Sequence, residues 1–149
     1  MRPLTNPITI GSLIGLLLAV TGWSLPGVVH DPLDLIGGMA VPAMLLAYGV
    51  SLRLGPLPGR GVPGTELARV VGLKMLFQPL AAWGVGHFVL GLDTPELLAA
   101  TVLSALPTAQ NVFVIATRYD RSVLLARDAI FVSTLVSVPV IVVITALIV

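Results

Sequence analysis

Apolar stretches of about twenty residues follow one another along almost the whole chain, each closed by proline, glycine or charge. A helix needs ~20 such residues to cross the hydrocarbon layer of a bilayer. Five are marked off at about residues 8–25, 35–54, 67–90, 96–117 and 129–149. With 149 residues, 56% hydrophobic and 10% charged, and a mean hydropathy of +1.04, the chain has more apolar surface than a soluble core of its size can hide. It reads as an all-α membrane protein, a single transmembrane domain over residues 1–149 whose first partner is the lipid bilayer. No tract is basic enough to suggest nucleic acid, and there are no cysteines to supply disulfides or thiolate-held metals.

The first span opens through Asn6-Pro7, where Asn can cap and Pro can occupy the first turn without losing a needed hydrogen bond. Gly11 and Gly15 stand at the spacing that lets a second helix approach. Arg2 before this run resembles the start of a signal peptide, but Trp23 and Pro26 interrupt the small residues that a cleavage site requires. A loop from Pro26 to Asp34 holds His30, Asp31 and Asp34. The second span contains Pro42, and the connection from Arg53 to Thr65 is rich in proline and glycine. Lys74, Gln78, Pro79 and His87 fall in the third span, which a turn from Gly91 to Pro95 joins to the fourth. A charged linker, Arg118 to Asp128, leads to the fifth span with Ser133, Thr134, Ser137 and Pro139. Kinks are expected at Pro42, Pro79 and Pro139.

Alternating the loops across the membrane puts Arg2, Arg53, Arg60, Arg69, Lys74, Arg118, Arg121 and Arg127 on one side, which exhausts the 8 basic residues. The positive-inside rule makes that side the cytoplasm, with the N-terminus inside and the C-terminus outside a cell (inner) membrane.

The fourth span is interrupted at Pro107, which has no N–H and crowds the carbonyl four residues earlier. Backbone groups left unpaired in hydrocarbon cost several kcal/mol each unless protein or a water-lined cavity satisfies them. Ser104, Thr108, Gln110 and Asn111 cluster around this proline. One reading is a substrate site, in which a half-helix beginning near Thr108 offers free N–H groups and a positive dipole end to a carboxylate. The other is a simple kink whose amides bond neighbouring helices. Lys74 likewise either snorkels to the interface or pairs with an anionic substrate or a carboxylate of a partner. The hydroxyls of Ser133, Thr134 and Ser137 either pack between helices or line a path.

His30 and His87 are far apart and lack carboxylates at ligand spacing, so neither a metal nor another cofactor is expected. Nucleophile-elbow, zinc-protease and phosphate-loop motifs are missing, which argues against an enzyme. No carboxylate lies at the centre of a span to carry a coupling proton.

The Asn6-Pro7 opening, Ile10 to Leu16, Pro42 to Leu52, Lys74 with Pro79, and Ala105-Leu106-Pro107 leading to Phe113 and Tyr119 together resemble the C-terminal half of the auxin efflux carrier family, which includes PIN-like carriers and bacterial malate permeases. The resemblance implies a ten-helix carrier fold of two inverted five-helix repeats. The fourth helix of each repeat is broken at a proline, and the two breaks cross around the substrate. It also implies transport of small organic anions. This chain supplies one repeat, so the expected partner is a five-helix half of opposite topology or a missing N-terminal half. The competing reading is a non-transporting membrane scaffold or an inactive truncated remnant of a carrier.

Overall fold

Proline and glycine fix most helix limits in the computed structural model, which describes residues 7–148. Asn6, Arg2 and Val149 lie outside the described residues. Helix α1, Pro7–Thr21, has proline in its first turn and stops at Gly22, whose φ of +66° a residue with a Cβ rarely adopts. It therefore ends short of the expected limit at Leu25.

Helix α2, Gly27–Gly38, and helix α3, Ala40–Leu54, are separated by the single turn residue Met39 and form one apolar helical stretch of 28 residues. The segment expected to be a loop, Pro26 to Asp34, is thus helical from Gly27. His30, Asp31 and Asp34 are all exposed on that helix, so their charges do not require the chain to leave it.

Four segments run on without a gap after the irregular connection: α4 (Gly64–Gly72), a π-helical turn (Leu73–Phe77), α5 (Gln78–Gly84) and a second π turn (Val85–Val89). In the first π turn the Gln78 N–H reaches back five residues to the Leu73 carbonyl, just before Pro79, which has no N–H to give. Helix α6, Thr94–Ser104, starts with Asp93 as N-cap, its side chain accepting the Glu96 N–H at 3.0 Å. Helices α7 (Asn111–Tyr119) and α8 (Val123–Ile148) complete the order. Among the described residues there is no strand. Two helical stretches, 27–54 and 123–148, are long and apolar enough to cross a membrane.

The chain divides into two compact units, residues 1–42 and 43–149. In the first, none of the described side chains is buried. The second has an apolar core in two clusters. Leu67, Val71 and Met75 meet Ala129, and Tyr48 and Phe113 meet Ile130. Tyr48 and Phe113 pack edge to face, ring centres 5.5 Å apart.

Helix α8 begins six positions ahead of the expected Ala129, so Arg127 and Asp128 belong to the helix and not to a linker. Both are 0% exposed. The guanidinium donates to Asp128 Oδ1 from Nε at 2.8 Å and pairs with it through Nη2 at 2.7 Å. Its remaining donors reach the Ser51 carbonyl at 3.1 Å and the Pro56 carbonyl at 2.8 Å. Asp128 Oδ2 accepts the Gly59 N–H at 2.8 Å, and the Tyr48 hydroxyl donates to the Arg127 carbonyl at 3.0 Å. The end of α3, the connection after it and the start of α8 are thereby tied at one point. A Cβ at Gly55 would sit 2.8 Å from the Ser51 carbonyl and against the guanidinium, so the chain passes Arg127 closely because position 55 has no side chain.

Candidate functional site

In an unbroken helix the Ser104 carbonyl would accept the Thr108 N–H. Here the chain leaves the helix at Ala105 and re-enters at Asn111. The two halves of that lost hydrogen bond find separate side chains. Ser104 O accepts from Lys74 Nζ at 3.2 Å, and the Thr108 N–H donates to Ser133 Oγ at 3.1 Å. Lys74 lies in the first π turn and Ser133 in α8, so α6 and α7 are each held at their broken ends by a different neighbour.

The rest of the α6 terminus closes locally. The Thr101 and Val102 carbonyls accept the Ala105 N–H at 3.1 and 3.0 Å, and the Leu103 carbonyl, which Pro107 cannot serve, accepts the Leu106 N–H at 3.3 Å. Ser104 Oγ turns back to the Thr101 carbonyl at 2.6 Å and leaves its own carbonyl to Lys74. Lys74 also donates to Gln78 Oε1 at 3.0 Å. Among the described residues no carboxylate oxygen lies within 4 Å of it, the ion pairs being His30–Asp31 and Arg127–Asp128.

The α7 terminus stays open. The carbonyls of Ala109 and Gln110 accept the N–H groups of Val112 and Phe113 at 3.1 and 3.0 Å, which starts the helix. The N–H groups of Ala109, Gln110 and Asn111, and the side chains of Thr108, Gln110 and Asn111, have no protein hydrogen-bond partner among the described residues. Three free donors at the positive end of a helix dipole form an arrangement suited to an anion. Beside them a groove with a volume of ≈ 400 Å³ follows α7 from Thr108 to Tyr119 and Arg121.

The comparisons with known proteins bear on what such a broken helix is for. The sequence pattern of the family described as membrane transport protein matches residues 1–145. The chain belongs to the membrane transport protein family. This is the family of auxin efflux and malonate permease-like carriers whose landmarks the sequence carries. A relative named "Putative malonate transporter" from Rhizobium meliloti (strain 1021) is 29% identical over 133 residues, covering 89% of this chain and 41% of the relative. An "Uncharacterized transporter" from Methanothermobacter thermautotrophicus (strain ATCC 29096 / DSM 1053 / JCM 10044 / NBRC 100330 / Delta H) is 32% identical over 119 residues, covering 77% of this chain and 37% of the relative. The chain therefore spans less than half the length of either. No solved structure matches it significantly.

Members of the membrane transport protein family are transporters and not enzymes, and this member is an integral membrane protein. Of the residues singled out by sequence, Ser104, Pro107, Thr108, Gln110 and Asn111 share the interruption between α6 and α7, and Lys74 reaches its edge. Pro42 stands in the first turn of α3, just after the Met39 turn, and Pro79 is buried at the start of α5 behind the first π turn. Pro139 lies within the continuous helix α8. Thr134 and Ser137 donate to carbonyls of α8 itself, at 2.7 and 2.9 Å. Sequence reasoning left the role of Ser133 open and missed the burial of Arg127 with Asp128. A charged pair at adjacent positions inside an apolar helix was the available signal.

Proposed function

We propose that this chain is half of a secondary carrier for small organic anions, crossing the cell (inner) membrane five times with the N-terminus cytoplasmic and the C-terminus outside. The broken helix forms its share of the substrate site. The observation that carries this reading is the set of unclaimed N–H groups at Ala109, Gln110 and Asn111. Donors left open at a helix N-terminus inside an apolar segment suit a carboxylate, and the side chains of Thr108, Gln110 and Asn111 add polar contacts beside them. The name of the Rhizobium relative makes malonate the first probe.

The complementary half is a five-helix segment of opposite topology, as the family's inverted-repeat fold implies. The one-sided placement of basic residues supports the orientation and speaks against a second copy inserted upside down. Flux of labelled malonate and related dicarboxylates through proteoliposomes tests the reading, first with this chain alone and then with a co-expressed complementary half. Flux only in the second case supports a half-carrier. Absence of flux and of binding in both supports a non-transporting scaffold instead.

A further inference from the structure

We propose that Lys74 sets the anion preference of the break by covering the carbonyl end of α6, so that the field in the gap is governed by the N–H end of α7. This rests on the reading of the break as an anion site and adds a residue that determines its charge selectivity.

A helix interrupted in mid-segment exposes two opposite poles to the same space: carbonyls at the end of the first half and N–H groups at the start of the second. Left alone, the carbonyl pole repels an anion and offsets what the N–H pole gains. In this chain the poles are not treated alike. The carbonyls of Thr101, Val102 and Leu103 are closed by backbone N–H groups, and the last one, Ser104, accepts from the Lys74 ammonium at 3.2 Å. The N–H pole keeps three donors open.

Lys74 is also uncompensated, since its other partner is the neutral amide of Gln78 and no carboxylate oxygen lies within 4 Å among the described residues. An ammonium that had only to close a carbonyl could be replaced by a neutral donor. Its net positive charge, half-buried in an apolar helix, does something a neutral donor cannot. It shifts the potential of the gap, where low dielectric makes a unit charge felt over several ångströms. Lys74 is thus a positioning and field-setting residue, with its bond to Ser104 holding the ammonium in place.

The test uses the absence of cysteine from the chain. In the 149-residue chain in detergent or nanodiscs, Ala109→Cys puts a single thiol in the break at an exposed position. The readout is the ratio of its modification rates by sulfonatoethyl and trimethylammonioethyl methanethiosulfonate, with Lys74 intact and in Lys74→Gln and Lys74→Arg. The glutamine variant retains a hydrogen-bond donor without charge, and the arginine variant retains charge. The expected result is a fall in the anionic-to-cationic ratio of roughly three- to tenfold in Lys74→Gln and near-retention in Lys74→Arg. An unchanged ratio in Lys74→Gln, or an equal loss in both variants, overturns the assignment. Malonate binding is measured separately, on the unsubstituted chain co-expressed with a complementary half. Failure of the unsubstituted chain and its complementary half to bind malonate, with the thiol ratios as expected, removes malonate as the cargo and leaves Lys74 in its role.

Discussion

Asp128 binds the guanidinium of its own neighbour, Arg127, at 2.7 Å, and neither side chain is exposed. Adjacent helix positions do not ordinarily face each other. The pair closes because the guanidinium also spans the Ser51 and Pro56 carbonyls while the carboxylate takes the Gly59 N–H. Removing one member leaves an uncompensated buried charge, which typically costs 3–5 kcal/mol. Asp128→Leu and Arg127→Met are each expected to lower stability by about that amount, and the double variant by less than either alone. Thermal unfolding of the purified chain in detergent measures all three. A double variant as unstable as the sum of the singles would refute the pairing as the source of the loss.

Ser133→Ala removes the acceptor of the Thr108 N–H. A fully buried donor left without a partner costs about 1–3 kcal/mol and the half-buried Thr108 N–H costs less, whereas Ser133→Thr keeps a hydroxyl at the same position. The alanine variant is expected to melt earlier and to show faster amide exchange at Thr108. The threonine variant stays close to the original on both measurements.

On the proposed half-carrier reading, Asn111→Ala is expected to weaken binding of the malonate probe about tenfold, equivalent to ~1.4 kcal/mol, with the melting temperature unchanged. Calorimetric titration of the chain assembled with its complementary half reads this directly. Unchanged affinity would make the Asn111 amide a contact between helices and not part of the site.

Tyr48 contributes in two separable ways, by its hydroxyl bond to the Arg127 carbonyl and by the edge-to-face contact with Phe113. Tyr48→Phe keeps the ring and is expected to lose about 0.5–1.5 kcal/mol, the net worth of one hydrogen bond. Tyr48→Ala also leaves a cavity and is expected to lose about 3–5 kcal/mol. Denaturant titration distinguishes them, and equal losses would show that the ring contact carries no weight.

The interruption between α6 and α7 was legible because proline chemistry is local: without an N–H at Pro107, the Leu103 carbonyl must look elsewhere. The closing partners were not legible, since Lys74 is 30 residues from Ser104 and Ser133 is 25 from Thr108, and nothing in the pattern between them fixes that pairing. Charge misled at two helix starts. Asp31 and Asp34 suggested a loop where α2 runs, because a charge exposed on a helix looks in sequence like a charge in a turn. Arg127 and Asp128 suggested a linker where α8 has begun, because their neutralisation of one another depends on side-chain geometry. The π turn at Leu73–Phe77, which carries Lys74 towards α6, has no composition cue beyond the proline that follows it.

The division of one peptide hydrogen bond between Lys74 and Ser133 has a mechanical consequence. Each lip of the gap is moored to a different helix, so the spacing of the two lips is tied to the packing of the π-turn segment against α8, where Met75 meets Ala129.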